Sequence, residues 1–122
     1  MTEDLPFNPY AADCPSRGLV DRIGDKWTIL IIGVLSEGPA RYRDLADQVG
    51  GISPKMLSQT LKALERDGLI VRQAFAEVPP RVQYELTEAG RTLQPLLLGL
   101  ETWAREHMPG VLVSRERYDG AA

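Results

Sequence analysis

Residues 51–69 read GISPKMLSQTLKALERDGL, and both ends of a short helix are written into them. Ser53 is a residue type that caps helix N-termini. Pro54 suits the first helical position, where its missing N–H would have no intrahelical partner anyway. Gly68 supplies the stop. At about 100° per residue, Gln59, Lys62 and Arg66 fall within about 40° of Lys55, with Ser58 about 60° away. Leu57, Leu61 and Leu64 lie on the opposite side. Any amphipathic surface helix divides in this way, so the meaning of the polar face depends on its neighbours.

Upstream, RYRDLADQVG offers a short helix around Leu45, Ala46 and Val49, and Gly50–Gly51 supplies a turn into the helix above. Two short helices joined by a glycine-bearing turn form the pattern of a helix-turn-helix. Downstream the period changes. LIVRQAF is rich in strand formers, and RVQYEL alternates, with Val82, Tyr84 and Leu86 on one face. AEVPP between them is a loop stiffened by two prolines. A hairpin directly after a helix-turn-helix is a wing. The predicted fold class is therefore mainly α with a small β-wing, a winged helix-turn-helix.

The remaining segments read as helices. CPSRGLVDRIG opens at Pro15 and ends at Gly24. Asp25 can cap KWTILIIGVLSEG, whose Trp27, Leu30, Ile31, Val34 and Leu35 keep helical spacing. Ile29 and Ile32 lie elsewhere on its surface, so burial on more than one side is expected. Its β-branched content also fits a strand, but length and capping favour a helix. Thr87 caps a last helix, expected to kink near Pro95 and to end at MPG. The expected organisation is an arm at 1–13, a domain at 14–107 and a flexible tail at 108–122. Leu93, Leu97, Leu100 and Ala104, flanked by Leu96 and Trp103, line the last helix. Little domain remains beyond the wing to cover that stripe, so a partner subunit is expected to cover it.

A chain of 122 residues with 43% apolar and 25% charged side chains suits one soluble domain with a real core. The longest apolar run is too short to span a bilayer. MTEDLPFNPY lacks the basic start and apolar core of a secretion signal, so a cytoplasmic location and no membrane partner are expected. One cysteine and one histidine, far apart, build neither an internal disulfide nor a zinc site. No phosphate-cradling glycine loop is present and no nucleophile lies near His107, so neither catalysis nor a cofactor is expected. His107 reads as a helix C-terminal residue favoured by the macrodipole.

The net charge of −3 argues mildly against nucleic acid, whose affinity comes from neutralising phosphates. Its distribution matters more. Residues 1–40 hold three basic and six acidic side chains, whereas residues 41–91 hold eight and seven. The excess acid lies mostly outside the proposed reading surface. A DNA-reading helix needs one face anchored in the core and the other free to enter a groove about 12 Å wide. Gln pairs with adenine and Lys with guanine, and the N–H groups beside Ser53 can donate to a phosphate. Arg81, just past the wing tip, suits the minor groove. A winged helix that binds protein rather than DNA is the competing expectation.

The stretches IGDKW, ISPKMLSQTLKALERDGLI and VQYELTEAG lie within a pattern running from Cys14 to about Trp103. That pattern resembles the HxlR-type, MarR-like bacterial transcriptional regulators. The resemblance implies a dimeric winged helix-turn-helix in which the N-terminal arm and last helix build the dimer. It implies transcriptional control through double-stranded DNA, with repression the expected direction and activation left open by the residues. A two-fold dimer would set its reading helices about 34 Å apart, so a near-palindromic operator is expected. Carried over by position, the DNA-facing residues are Ser53, Lys55, Ser58, Gln59 and Lys62, with Arg81 on the wing. Arg41 and Arg43 are candidate phosphate contacts, and Leu93, Leu97, Leu100 and Trp103 candidate dimer contacts.

Several members of that family sense oxidants or electrophiles through a cysteine in an N-terminal CP pair, matched here by Cys14–Pro15. A helix N-terminus favours the thiolate. Arg17 would assist it and Asp13 oppose it. Oxidation would give a sulfenic acid, a mixed disulfide or a bridge to Cys14 of the other subunit. A small-molecule inducer is the alternative signal.

Overall fold

The structure is a computed structural model that describes residues 7–121. Residues 1–6 of the expected arm and Ala122 of the expected tail lie outside the described residues. The elements run α1 Pro15–Gly24, α2 Lys26–Leu35, α3 Tyr42–Gln48, α4 Pro54–Arg66, β1 Ile70–Phe75, β2 Arg81–Leu86 and α5 Glu88–Ala121. The predicted helix-turn-helix, wing and last helix are all present.

Residues 26–35 form a helix rather than the competing strand. Asp25 Oδ1 accepts the Trp27 N–H at 3.2 Å, an N-cap that a strand could not use. Every other helix and β2 touch α2. Thr28, Ile31, Ile32 and Leu35 are therefore buried, while Leu30 is 46% exposed. This corrects the expected stripe at Leu30, whereas the burial of Ile32 agrees with a helix covered on more than one side. Leu45, Val49, Leu57, Leu61 and Leu64 complete the core around α2, with Ile70 and Leu86 from the wing base.

Gly51, with φ 83°, turns the chain between α3 and α4. Gly68, with φ 75°, ends α4. There the Leu69 N–H donates to Leu64 O at 2.9 Å and the Gly68 N–H to Glu65 O at 3.0 Å, the paired bonds of a Schellman stop. The wing strands pair antiparallel, from Ile70 with Leu86 to Phe75 with Arg81. Ala40 joins them through two backbone bonds with Tyr84, of 2.9 and 2.7 Å, which ties the α2–α3 loop to the wing.

One residue links the end of α4 to the start of α5. Thr87 Oγ1 accepts the Gly90 N–H at 3.1 Å and donates to Gly68 O at 2.6 Å. The Thr87 N–H donates to Leu69 O at 3.1 Å. Helix α5 crosses this carbonyl so closely that a Cβ on Gly90 would overlap Leu69 O and stand 3.2 Å from Leu86 Cδ2. Close approach, not a special φ, requires glycine here.

Helix α5 departs from expectation in three ways. It runs 34 residues, through Pro95 and Pro109, to Ala121, so MPG does not end it and residues 108–121 are helical. Each proline removes one intrahelical bond, and both lie on the exposed surface, where water can satisfy the freed carbonyl. Leu93 and Leu97, 9% and 6% exposed, belong to the chain's own core rather than to a partner-facing stripe. Helix α5 packs on both α2 and β2, which contribute to that core. Leu100 and Trp103, 48% and 55% exposed, stay uncovered. His107 lies well inside the helix, its ring stacked on Trp103 at 4.4 Å, and not at a C-terminus.

Candidate nucleic-acid interface

Helix α4 presents its polar face as its sequence implies. Ser53 Oγ accepts the Met56 N–H at 3.1 Å, a cap that contributes about 1 kcal/mol. Lys55, Gln59, Lys62 and Arg66 are exposed, and Ser58 is half-buried. Leu57, Thr60, Leu61 and Leu64 face inward. Four charged or amide side chains therefore project together from a helix whose opposite side is locked in the core. No ion pair engages Lys55 or Lys62 among the described residues.

Tyr42 was not marked by the sequence pattern and contributes to this surface. Its Oη donates to Pro54 O at 3.1 Å and lies 3.3 Å from Ser58 Oγ. The phenol spans the first turn of α3 and the first two turns of α4, setting their separation. Ser58 is thus a held side chain rather than a free one. The available signal was an aromatic interleaved between two arginines, RYR. Arg41 and Arg43 flank Tyr42 and are exposed. The Arg41 N–H donates to Asp44 Oδ2 at 3.1 Å, which closes the N-terminus of α3.

The wing differs from the expected free arginine. Arg81 sits at the start of β2 with its guanidinium folded back. Nε and Nη2 donate to Glu77 at 3.0 and 3.3 Å, and Nη1 donates to Gln83 Oε1 at 3.3 Å. Phe75, its cross-strand partner, places its ring 4.0 Å from Cζ. Val78 at the tip is fully exposed.

Cys14 is half-buried at the N-cap of α1. Its Sγ lies 3.0 Å from Ser16 Oγ and accepts the Asn8 N–H at 3.3 Å. The Ser16 hydroxyl, then the Ser16 and Asn8 N–H groups, stabilise the thiolate and lower the thiol pKa, against partial burial and Asp13. Asp13 opposes ionisation as expected, but the leading stabiliser is Ser16, which sequence reasoning passed over for the helix terminus. Pro15, Gly18, Leu19 and Arg22 of α1 share a crevice with Ala63, Arg66 and Asp67 at the end of α4. The cysteine-bearing helix therefore lies beside α4. Among the described residues no helix is long and apolar enough to cross a membrane.

Residues 22–111 match the HxlR-like helix-turn-helix family. The chain belongs to that family. Among HxlR-like relatives, an Escherichia coli (strain K12) protein described as the HTH-type transcriptional regulator YtfH is 40% identical over 109 residues. The match covers 89% of this chain and 86% of that protein. The solved ytfH structure from Salmonella typhimurium superposes with a TM-score of 0.84 at 39% identity, covering 90% of this chain and 98% of that one. The structure described as the redox regulator HypR in its oxidized form gives a TM-score of 0.71 at 35% identity, covering 76% and 96%. These neighbours are regulators, and the winged helix-turn-helix architecture of the HxlR-like chain agrees with theirs.

Proposed function

We propose that this protein is a sequence-specific DNA-binding transcriptional repressor, working in the cytoplasm as a homodimer on a near-palindromic operator. The observation that carries this reading is the exposed Lys55–Gln59–Lys62 face on a core-anchored helix within a winged helix-turn-helix frame. Lys55 and Gln59, near the helix start, are assigned to base edges, and Lys62 to the groove further along. Ser53 and the adjacent N–H groups are assigned to a phosphate, as are Arg41 and Arg43. The test is selection of duplexes from a random pool. Binding to the selected duplex is expected to weaken steeply with salt. Failure to select any duplex would favour a protein-binding role.

The dimer reading rests on uncovered apolar surface. In the single chain Leu19 and Val20 of α1 and Leu96, Leu100, Trp103 and Leu112 of α5 are each at least 42% exposed. Such surface on α1 and α5 supports an interface between subunits. Leu100→Glu is expected to give a folded monomer in sedimentation experiments and to weaken operator binding. A dimer unaffected by this change would move the interface elsewhere.

The signal we assign to Cys14. Its lowered thiol pKa, its position on the helix beside α4 and the likeness to HypR, described as a redox regulator, support this. Hydrogen peroxide is expected to lower the DNA affinity of the wild-type protein and to leave Cys14→Ser unchanged. Equal responses would remove Cys14 from the mechanism.

A further inference from the structure

We propose that Glu77 limits the wing's grip on DNA, because its carboxylate folds Arg81 against Phe75 and cancels the charge the wing would otherwise offer a phosphate. The inference rests on the DNA-binding reading above. Two of the three guanidinium nitrogens donate to Glu77, the third donates to Gln83, and one face of the guanidinium lies over the Phe75 ring. Between Leu69 and Thr87 the charged side chains are Arg72, Glu77, Arg81 and Glu85. The wing therefore carries no net charge, although an arginine is its nearest polar group to the tip on β2.

The pair is open to competition. The Glu77 side chain is 52% exposed and that of Arg81 30%, so solvent screens their attraction and a phosphate oxygen can take the place of a carboxylate oxygen. That exchange gains little while Glu77 stays charged. Arg81 trades one anion for another, and the released carboxylate is left in the negative potential of the duplex. A neutral amide at position 77 keeps an oxygen that Nε or Nη2 can bond, so the folded-back pose is retained. What changes is that a phosphate then meets an uncompensated cation. Glu77 thus acts as a restraint on the recognition surface without belonging to it.

The experiment measures binding to a duplex selected with the wild-type protein, over a range of salt, for wild type, Glu77→Gln, Arg81→Gln and the double variant. Glu77→Gln is expected to bind several-fold tighter. Its plot of log affinity against log salt should steepen by about 0.9, the increment for one added phosphate contact. In the Arg81→Gln background the same change should have a much smaller effect, because the gain passes through Arg81. Equal gains in both backgrounds would reduce Glu77 to a general surface charge and overturn the proposal. Unchanged or weaker binding by Glu77→Gln would overturn it too, the latter showing that the carboxylate positions Arg81 for DNA. Failure of the proposal alone leaves wild-type binding intact. Failure of the DNA reading appears as no binding by the wild type, and overturns both.

Discussion

Changing Lys55 and Lys62 together to Glu is expected to abolish specific duplex binding while leaving the domain folded. Both side chains are exposed, and neither is in an ion pair among the described residues. The change therefore removes no packing and leaves no buried partner behind. On the DNA side the loss is compounded. Two cationic contacts disappear, each worth about 1–3 kcal/mol if it reaches a base edge, and two carboxylates now face phosphates. A reduction of at least about 10³-fold near physiological salt follows. Fluorescence anisotropy with a selected duplex measures it, and an unchanged denaturation midpoint confirms the fold. Wild-type affinity in the double variant would move the reading surface off α4.

The second large effect concerns stability. Gly90→Ala is expected to destabilise the fold by about 3 kcal/mol, at the upper end of overpacking effects. The obstacle is the Leu69 backbone carbonyl, which cannot swing aside as a side chain would. That carbonyl also accepts the Thr87 N–H, so displacing it loosens the start of α5 as well. Urea denaturation at fixed protein concentration reads the shift, and a midpoint equal to wild type would show that α5 can lift away freely. Gly110→Ala on the same helix meets no atom within 4 Å. It is expected to be neutral or slightly stabilising, as glycine is a poor helix former.

Much of the fold was legible because its signals are local. Ser53–Pro54 and Gly68 mark α4, Asp25 and Thr87 cap their helices, and the change from helical to alternating period marks the wing. What was misjudged depends on packing between distant segments. That Leu30 of α2 faces outward is decided by five surrounding elements, which a single helix's periodicity does not encode. Leu93 and Leu97 have the spacing of an interface stripe, and only the packing of α5 on α2 and β2 assigns them to the core. Proline at 109 followed by glycine reads as a stop, yet on an exposed helix it removes a single bond and the chain continues.

The candidate site divides in the same way. The Lys55–Gln59–Lys62 face follows from helical geometry alone. Tyr42 with Ser58, Ser16 with Cys14, and Glu77 with Arg81 depend on how side chains meet across a turn. Residue type and spacing name the first member of such a pair more readily than its partner.

Thr87 gives the long helix a mechanical character. Its hydroxyl and amide pin the first turn of α5 to the residues that close α4, while Leu97 is the last buried side chain along α5. The helix beyond Leu97 extends 24 residues, about 36 Å. It is a lever with its fulcrum at the end of the recognition helix. A tilt of about 5° at that fulcrum moves the far end of the 34-residue helix, about 51 Å away, by about 4.5 Å, given a rise of about 1.5 Å per residue. Conversely, whatever grips the far end sets the angle at the fulcrum with the full mechanical advantage of that length.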